Sequence, residues 1–241
     1  MNNLIYNKKY TYTVSNRNCY DDFASWSILD LFQDVASEHI ENYHYGFEEM
    51  YAKGLIWVLV RTKYQVIKDA TPLDKELLMT TWQSEQARAD FTRDYIISSI
   101  SGETYIKGSS KWCLLDLNTR RIAPTSALGV DITNPKKLFE EPFKKLTFES
   151  LYDKETVLEQ KVLKTKLDHN GHLNNAKYLE IITDAINLEK EEKIETLEIN
   201  YNKEAFFEDI ISVKCERIDK EVFVEGYRGE ELIFKCKITI K

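Results

Sequence analysis

Two stretches of the chain repeat one pattern of apolar and polar positions at an offset of 150 residues. Residues 22–36 read DFASWSILDLFQDVA, and residues 172–186 read HLNNAKYLEIITDAI, so that Leu29 aligns with Leu179. In both stretches apolar residues recur every three or four positions, which predicts two amphipathic helices. Polar residues that can cap these helices precede each of them: Asp21 or Asp22 in the first case, and Asn174 or Asn175 in the second.

Both predicted helices are followed by segments rich in Ile, Val, Tyr, Phe, Thr and Trp, many of which alternate polar with apolar residues. Such segments are typical of antiparallel strands. They are residues 54–67, 75–86, 91–101 and 104–117 in the first half, and residues 194–205, 208–219, 220–228 and 231–241 in the second. A strand, a helix and then antiparallel strands therefore occur twice, which predicts an α+β fold.

The repeat also predicts how the chain is divided. A chain of 241 residues is long enough for one large domain or for two of about 120 residues. We expect two domains, residues 1–132 and 151–241, joined by a linker of residues 133–150. Residues 133–145 hold two of the four prolines and carry mixed charge, which favours an extended segment that crosses the surface.

The composition excludes several classes of protein. The chain has 40 acidic and 33 basic residues, and a net charge of −7 argues against general nucleic-acid binding. The longest apolar run, residues 55–60, is too short to span a bilayer, and the N-terminal residues lack the apolar core and cleavage site of a signal peptide. The four cysteines show no C-x-x-C spacing, so we expect free thiols in a reducing cytoplasm.

A polar loop, LDHNGHLNN at residues 167–175, precedes the second predicted helix. If this loop stays extended, Asp168, Asn170 and His172 point to one side and His169 to the other. The backbone N–H groups at the start of the next helix can then bind a carbonyl oxygen on which charge develops during acyl transfer. The alternative is a purely structural loop, in which Asp168 and Asn170 shape a turn and an asparagine caps the helix.

Other common sites do not fit this loop. A calcium loop of the EF-hand type that began at Asp168 would need Gly at its sixth position and Glu at its twelfth, where the chain has Leu173 and Leu179. Two histidines without further His or Cys at ligand spacing are weak evidence for zinc. The chain also lacks the serine-hydrolase, P-loop and dinucleotide-binding motifs, so we predict neither a metal nor a cofactor.

The loop resembles that of the acyl–acyl carrier protein thioesterases of plants and bacteria, in which Asp-x-Asn-x-His runs into Asn-Asn and a Tyr-containing helix. Residues 167–180, LDHNGHLNNAKYLE, match at each of these positions, and YNKEAF at residues 201–206 matches a second family element through Glu204. The resemblance implies two tandem hotdog domains, each a long helix wrapped by an antiparallel sheet. It also implies hydrolysis of fatty acyl–acyl carrier protein to free fatty acid and holo-carrier protein, which ends fatty acid elongation.

The resemblance suggests a role for each matching residue. Glu204 would activate a water molecule with His172 as its partner, although His172 could equally act as the base. Asn170 and backbone N–H groups at the helix start would hold the carbonyl oxygen, and Asp168 would orient the loop. Direct attack by a carboxylate, Glu204 or Asp168, stays open. Many plant members carry a cysteine directly after the glutamate; here that residue is Ala205, so a thiol nucleophile is not expected.

In the family, the first hotdog mostly houses the acyl chain. The candidate substrate-binding residues are Ile28, Phe32, Trp57, Val58, Leu59, Asn174 and Asn175. Carrier proteins are acidic, so we expect docking residues among Arg61, Arg88, Arg93, Lys136, Lys137, Lys144 and Lys145. The sequence is compatible with a homodimer. It does not specify the length or saturation of the acyl chain, or whether the acyl group is carried by a carrier protein or by CoA.

Three rival functions share the predicted fold. They are an acyl-CoA hydrolase, a hotdog dehydratase that uses a His with a carboxylate, and a non-catalytic acyl-binding module. The tandem arrangement with Asn170 and Glu204 favours hydrolysis over dehydration, and the intact polar loop argues against a binding module.

Overall fold

The computed structural model describes residues 4–69, 75–141 and 143–241. The first half contains β1 (Tyr6–Thr11), α1 (Ser25–Glu41), α2 (Phe47–Ala52), β2 (Leu55–Val66), β3 (Glu76–Gln86), β4 (Phe91–Ser99), β5 (Thr104–Asp116) and β6 (Arg121–Ala123). The second half contains β7 (Thr156–Lys161), α3 (Lys177–Ile186), β8 (Ile194–Tyr201), β9 (Ile210–Ile218), β10 (Glu221–Arg228) and β11 (Glu231–Ile240). The sequence pattern does not predict α2 or β6, because such short elements carry too little periodicity.

The internal repeat is present in the structure. β1 begins at Tyr6 and β7 at Thr156, and short 3₁₀ helices follow them at Val14–Asn16 and Lys164–Lys166, each pair 150 residues apart. In each half a main helix then packs against antiparallel strands. The predicted fold class, α+β with two tandem hotdog units, is confirmed, whereas the predicted domain boundaries stay predictions.

The strands of the described residues form one antiparallel sheet. Its order is β1-β3-β4-β5-β2-β8-β11-β10-β9-β7, with β6 beside β5. β2 and β8 join the two halves, since Arg61 pairs with Asn200 and Tyr64 with Leu197. The sheet is therefore continuous through the centre of the molecule, and β1 and β7 form its edges.

The apolar sides of α1 and α3 pack into one core against this sheet. Phe32 of α1 stacks on Tyr95 of β4, with 4.3 Å between the ring centroids. The same ring lies against Gly108 of β5, where an added Cβ would approach it to 2.2 Å, so this glycine allows the close contact between helix and sheet. Among the helices that the structure describes, none combines the length and the hydropathy that crossing a bilayer requires.

Neither main helix begins at a predicted cap. α1 begins at Ser25 after Ala24, and α3 begins at Lys177 after Ala176. Oδ1 of Asn174 accepts the N–H of Ala176 at 2.9 Å and therefore orders the turn that precedes α3. Each loop continues further than the pattern indicates, so the four predicted N-caps are wrong: Asp21, Asp22, Asn174 and Asn175.

The segment between the halves runs without helix or strand from residue 129 to residue 155, apart from residue 142, which is not described. Its backbone bonds to buried carboxylates of the sheet: Leu138 N–H to Asp94 at 3.0 Å, and Leu151 N–H to Glu225 at 2.8 Å. These carboxylates alternate along their strands with core-facing residues and thus point to the opposite face. The segment accordingly crosses the face of the sheet that lies away from the helices.

Candidate active site

The polar loop at residues 167–173 folds into a tight turn. Its two ends pair as an antiparallel bridge, and the N–H of Asp168 donates to the carbonyl of His172 at 2.8 Å. Gly171 completes the reversal with a φ of 79°, a left-handed conformation that glycine adopts without steric cost. The expectation of an extended segment is therefore wrong, because the chain reverses direction within this loop.

All four polar side chains of the turn nevertheless line one cavity. Oδ1 of Asp168 accepts the backbone N–H groups of Asn170 and His172 at 2.8 and 3.1 Å, so Asp168 orders the turn. His169, which an extended segment would point away, also reaches the cavity, where its ring meets Phe47 of α2 edge-on at 4.2 Å. The turn thus brings the predicted residues together by a different geometry.

Glu204 follows β8 and lies beside His172. Nδ1 of His172 is 3.5 Å from Oε1 of Glu204, and both side chains are partly exposed, by 20% and 34%, so water can reach them. The N–H of Leu173 donates to the carbonyl of Ala205 at 2.8 Å, which ties the turn to the segment that carries Glu204. Phe206 packs edge-on against the His172 ring at 5.0 Å. The two residues predicted to activate water therefore lie side by side, and their catalytic role stays a prediction.

An arginine from the first half approaches the same carboxylate. Nη2 of Arg120 lies 3.8 Å from Oε2 of Glu204. Arg120 sits in the turn between β5 and β6 with a φ of 56°, and Oδ1 of Asp116 orders that turn by accepting the N–H groups of Asn118 and Thr119 at 3.0 and 2.8 Å. Sequence reasoning missed Arg120, because no local pattern links it to Glu204.

A cavity of about 1290 Å³ opens beside His172 and Glu204. Its walls come from α1, α2 and β2 of the first half and from the polar turn of the second. Three of the predicted acyl-chain contacts line it: Trp57, Val58 and Leu59. The other two, Ile28 and Phe32, lie in the core and are not among its lining residues, because only the later turns of α1 reach the cavity.

Asn174 and Asn175 also line the cavity. The side chain and the carbonyl of Asn174 accept the N–H groups of Ala176 and Lys177, each at 2.9 Å. Two of the backbone donors expected to hold a carbonyl oxygen are therefore already bonded. Asn170 lies at the exposed tip of the turn and also lines the cavity.

The cysteines and the possible metal ligands can be located in the described residues. All four cysteines are free, and burial raises the pKa of Cys215, which disfavours its thiolate. Ala205 occupies the position after Glu204 and is fully buried. Within the described ranges, no group of three or more His, Cys, Asp or Glu residues could hold a metal ion.

One basic residue expected to dock a carrier protein lies inside the molecule. Arg93 is only 5% exposed and lines the cavity together with Gln83, so its prediction as a docking residue is wrong. The sequence does contain a signal for this position. Phe91, Arg93 and Tyr95 alternate along β4 on the face that turns toward the core.

Known families and relatives agree with this architecture. Residues 3–127 match the acyl-ACP thioesterase N-terminal domain, where ACP is acyl carrier protein, and residues 149–241 match the acyl-ACP thioesterase C-terminal domain. A palmitoyl-acyl carrier protein thioesterase of Arabidopsis thaliana is 27% identical over 196 residues, which cover 74% of this chain and 47% of that protein. An oleoyl-acyl carrier protein thioesterase of Coriandrum sativum is 24% identical over 226 residues, which cover 84% and 60%. The chain spans about half the length of the plant relatives it matches.

Solved structures share the fold over nearly the whole chain. An acyl-ACP thioesterase from Bacteroides thetaiotaomicron has a TM-score of 0.84 at 21% identity and covers 98% of both chains. The 12:0-ACP thioesterase from Umbellularia californica has a TM-score of 0.85 at 17% identity and covers 100% of this chain and 98% of its own. Since the first family model alone matches more than half of the residues, the chain belongs to the acyl-ACP thioesterase family.

Proposed function

We propose that the protein hydrolyses the thioester of fatty acyl–acyl carrier protein to free fatty acid and holo-carrier protein. The observation that carries this proposal is the approach of His172 to Glu204, 3.5 Å apart, in the wall of a cavity large enough for an acyl chain. Membership of the family supports the same activity, and the matched plant relatives are named as acyl carrier protein thioesterases.

In the proposed reaction, Glu204 removes a proton from a water molecule as that water attacks the thioester carbonyl carbon. The carbon–sulfur bond then breaks, and the departing thiolate receives a proton that His172 relays from Glu204. One water is consumed, and one carboxylic acid and one thiol are formed. General acid–base catalysis of this kind contributes about 10²–10⁴-fold to the rate, so no covalent step is required.

Two further side chains support this reaction. The side-chain amide of Asn170 donates a hydrogen bond to the carbonyl oxygen as it gains negative charge, which is worth roughly 10²–10³-fold for one well-placed donor. Asp168 accepts two backbone N–H groups of the turn and thereby fixes the positions of Asn170 and His172. Asp168 is therefore a positioning residue in this scheme.

The acyl chain is proposed to enter the cavity between α1, α2 and β2. Trp57 fixes one wall, since its Nε1 donates to the carbonyl of Tyr45 at 2.9 Å and its ring meets Phe91 at 5.0 Å. Val58 and Leu59 continue the lining along β2. These contacts place apolar surface near the reacting group, which suits a hydrocarbon chain.

Recognition of an acidic carrier protein requires exposed cations near the cavity. Arg120 and Lys203 are exposed residues of its lining, and both belong to segments next to Glu204. Lys136, Lys137, Lys144 and Lys145 are exposed further along the chain and stay candidates for the same role. A cytoplasmic location is proposed with this partner and is supported by the four free thiols.

The test is release of free thiol from matched panels of acyl-ACP and acyl-CoA thioesters of several chain lengths, with His172→Ala as the control. We expect faster release from the carrier-protein panel, and we expect that rate to fall as salt is added because charged surfaces are screened. Preference for CoA would replace the carrier protein by CoA in the proposal. No release from either panel would overturn hydrolysis.

A further inference from the structure

The cavity has a polar region on β4 that the proposed reaction does not use. Arg93 lies on the core-facing side of this strand, is 5% exposed and lines the cavity. Gln83 of β3 pairs with Arg93 in the sheet register, is 2% exposed and lines the same cavity. The two side chains are therefore cross-strand neighbours on one wall.

The hydrogen-bonding capacity of this region is only partly used. Nη1 of Arg93 donates to Nδ1 of His39 at 2.9 Å and lies 3.3 Å from Oγ1 of Thr81. In the part of the chain that the structure describes, no carboxylate is paired with Arg93, whose charge interacts only with Tyr95 and Tyr43. Nε2 of Gln83 is buried without a hydrogen-bond partner. Burial lowers the pKa of the Arg93 guanidinium, as expected for a cation removed from water.

This polar region lies away from the reacting groups. Glu204 follows β8, and the sheet order from β8 to β4 passes through β2 and β5. Three strand spacings of about 4.8 Å separate β8 from β4, which amounts to roughly 14 Å. A chain whose thioester lies at Glu204 and whose other end extends under α1 toward β4 therefore presents its distal atoms to Arg93 and Gln83.

We propose that Arg93 and Gln83 form a subsite for acyl chains that carry a hydrogen-bond-accepting oxygen, as a carboxylate, hydroxyl or carbonyl group, near the end distal to the thioester. The inference deepens the proposed function and depends on it for the chain's entry as a thioester. An oxygen atom at this position accepts hydrogen bonds from both side chains. A methyl end leaves buried donors unpaired, and sites built to bind an oxygen discriminate strongly against analogues that lack it.

The test measures binding with acyl-pantetheine amides, in which nitrogen replaces the thioester sulfur so that hydrolysis does not interfere. For each of several chain lengths, the distal end is a methyl, a hydroxyl or a carboxylate group. We expect the wild-type protein to bind at least one oxygen-bearing series about tenfold or more tightly than the methyl series, as for a hydrogen bond to a charged group. A larger gain for the carboxylate than for the hydroxyl would assign the selectivity to the charge of Arg93.

Two variants locate this selectivity. Arg93→Met removes the charge and keeps a side chain of similar length. Gln83→Leu removes the side-chain amide, whose Nε2 atom has no hydrogen-bond partner. We expect each variant to reduce the ratio of affinities for oxygen-bearing and methyl-ended chains, and Arg93→Met to abolish it. Arg217→Met makes the same chemical change on an exposed residue of β9 and is expected to keep the ratio. If Arg93→Met does not fold, the affinity ratio of Gln83→Leu is compared with that of the wild-type protein instead.

Equal or tighter binding of the methyl series by the wild-type protein would overturn the subsite, and so would an unchanged ratio in the folded variants. Thiol release from the corresponding thioesters separates this failure from failure of the proposed function. Hydrolysis without selectivity would overturn the subsite alone. Selective binding without hydrolysis of any thioester would overturn the thioesterase activity and leave the binding site established.

Discussion

The turn at residues 167–173 and its counterpart at residues 17–23 have the same backbone conformation but carry different side chains. Oδ1 of Asn18 accepts two backbone N–H groups at 2.9 Å each, and Oδ1 of Asp168 accepts two at 2.8 and 3.1 Å. In each turn the N–H of the same residue donates to the carbonyl four residues later, at 2.9 and 2.8 Å. Asn18 and Asp168, which occupy equivalent positions, therefore stabilise the turn in the same way in both halves.

The surroundings of the two turns are different. In the first, Asp22 pairs with Lys193 at 2.6 Å, whereas His172 at the equivalent position faces Glu204. α1 has 17 residues and is followed by α2, while α3 has 10 residues and runs directly into a loop. The residues of the first turn do not line the large cavity. The loop shape is thus a property of the repeated fold, and the chemistry comes from the side chains placed on one copy.

The sharpest test of this comparison removes the reactive groups from one turn and the equivalent group from the other. We expect Glu204→Gln and His172→Ala each to lower kcat by about 10²–10⁴-fold, because each removes a participant in proton transfer. Asp22→Ala in the counterpart turn is expected to leave kcat unchanged. The measurement is thiol release at saturating acyl-ACP. Normal turnover by folded Glu204→Gln and His172→Ala proteins would contradict the proposed roles.

A smaller effect separates the structural role of Asp168 from a nucleophilic one. Because Asn18 makes the equivalent hydrogen bonds, Asp168→Asn is expected to keep the turn and to retain kcat within about tenfold. Asp168→Ala leaves two N–H groups without their acceptor, which we expect to cost about 1–3 kcal/mol of unfolding free energy and to reduce kcat through misplacement of His172. Denaturant unfolding and thiol release measure both quantities.

A direct attack by the Asp168 carboxylate predicts a different result. The amide of Asp168→Asn cannot act as that nucleophile, so its kcat would then fall as far as that of Glu204→Gln. The two variants assayed side by side therefore decide between an orienting role and a nucleophilic role for Asp168.

The comparison also shows what could be predicted from the sequence. The repeat of helices and strands follows from local periodicity, which correctly predicts an α+β unit that occurs twice. The resemblance to a known family, and not the periodicity, implied that each unit is a hotdog. The residues around Asp168 were recognisable because they are contiguous. Arg120 was not, because it reaches Glu204 only after β5 and β6 fold into the sheet. Local pattern also could not show that the polar turn reverses direction, since that depends on the φ of Gly171.

The sequence also did not predict correctly which side chains face the core and which face the cavity. Arg93 was expected on the surface because its charge favours water, yet its position in the alternation of β4 places it toward the core. Ile28 and Phe32 were expected in the acyl site because they lie on the apolar side of α1. That side of the helix contacts the core through some residues and the cavity through others, and these two residues contact the core. Only the packing of α1 on the sheet decides which residue faces which space.

A change in the cavity wall should alter selectivity more than rate. Trp57→Ala is expected to change the ratio of kcat/KM between two chain lengths by roughly tenfold, because the wall that contacts the chain is enlarged. Tyr20→Ala in the counterpart turn, which lies outside the cavity lining, is the matched control and is expected to keep the ratio. A panel of acyl-ACP thioesters measures both. An unchanged profile in Trp57→Ala would remove this residue from the acyl-binding site.

The smallest expected effect comes from exchanging the residues with positive φ between the two turns. Gly171 has a φ of 79°, and its counterpart Asp21 has a φ of 69°. No atom lies within 4 Å of a Cβ built at Gly171, so the added Cβ of Gly171→Asp meets no clash. The left-handed backbone of this variant is expected to cost about 1 kcal/mol of unfolding free energy. Gly171→Val is expected to cost more, because β-branched side chains tolerate this conformation poorly.

The reverse exchange, Asp21→Gly, relieves the backbone strain but increases the freedom of the unfolded chain, and it removes an exposed ion pair with Arg17 at 2.7 Å. These contributions oppose each other, so its unfolding free energy should change by less than about 1 kcal/mol. Denaturant unfolding of Gly171→Asp, Gly171→Val and Asp21→Gly tests whether the two turns have the same left-handed backbone position. A loss for Gly171→Asp as large as that for Gly171→Val would show that the two turns do not share the left-handed position, and the structural equivalence of Asp168 and Asn18 would fail with it.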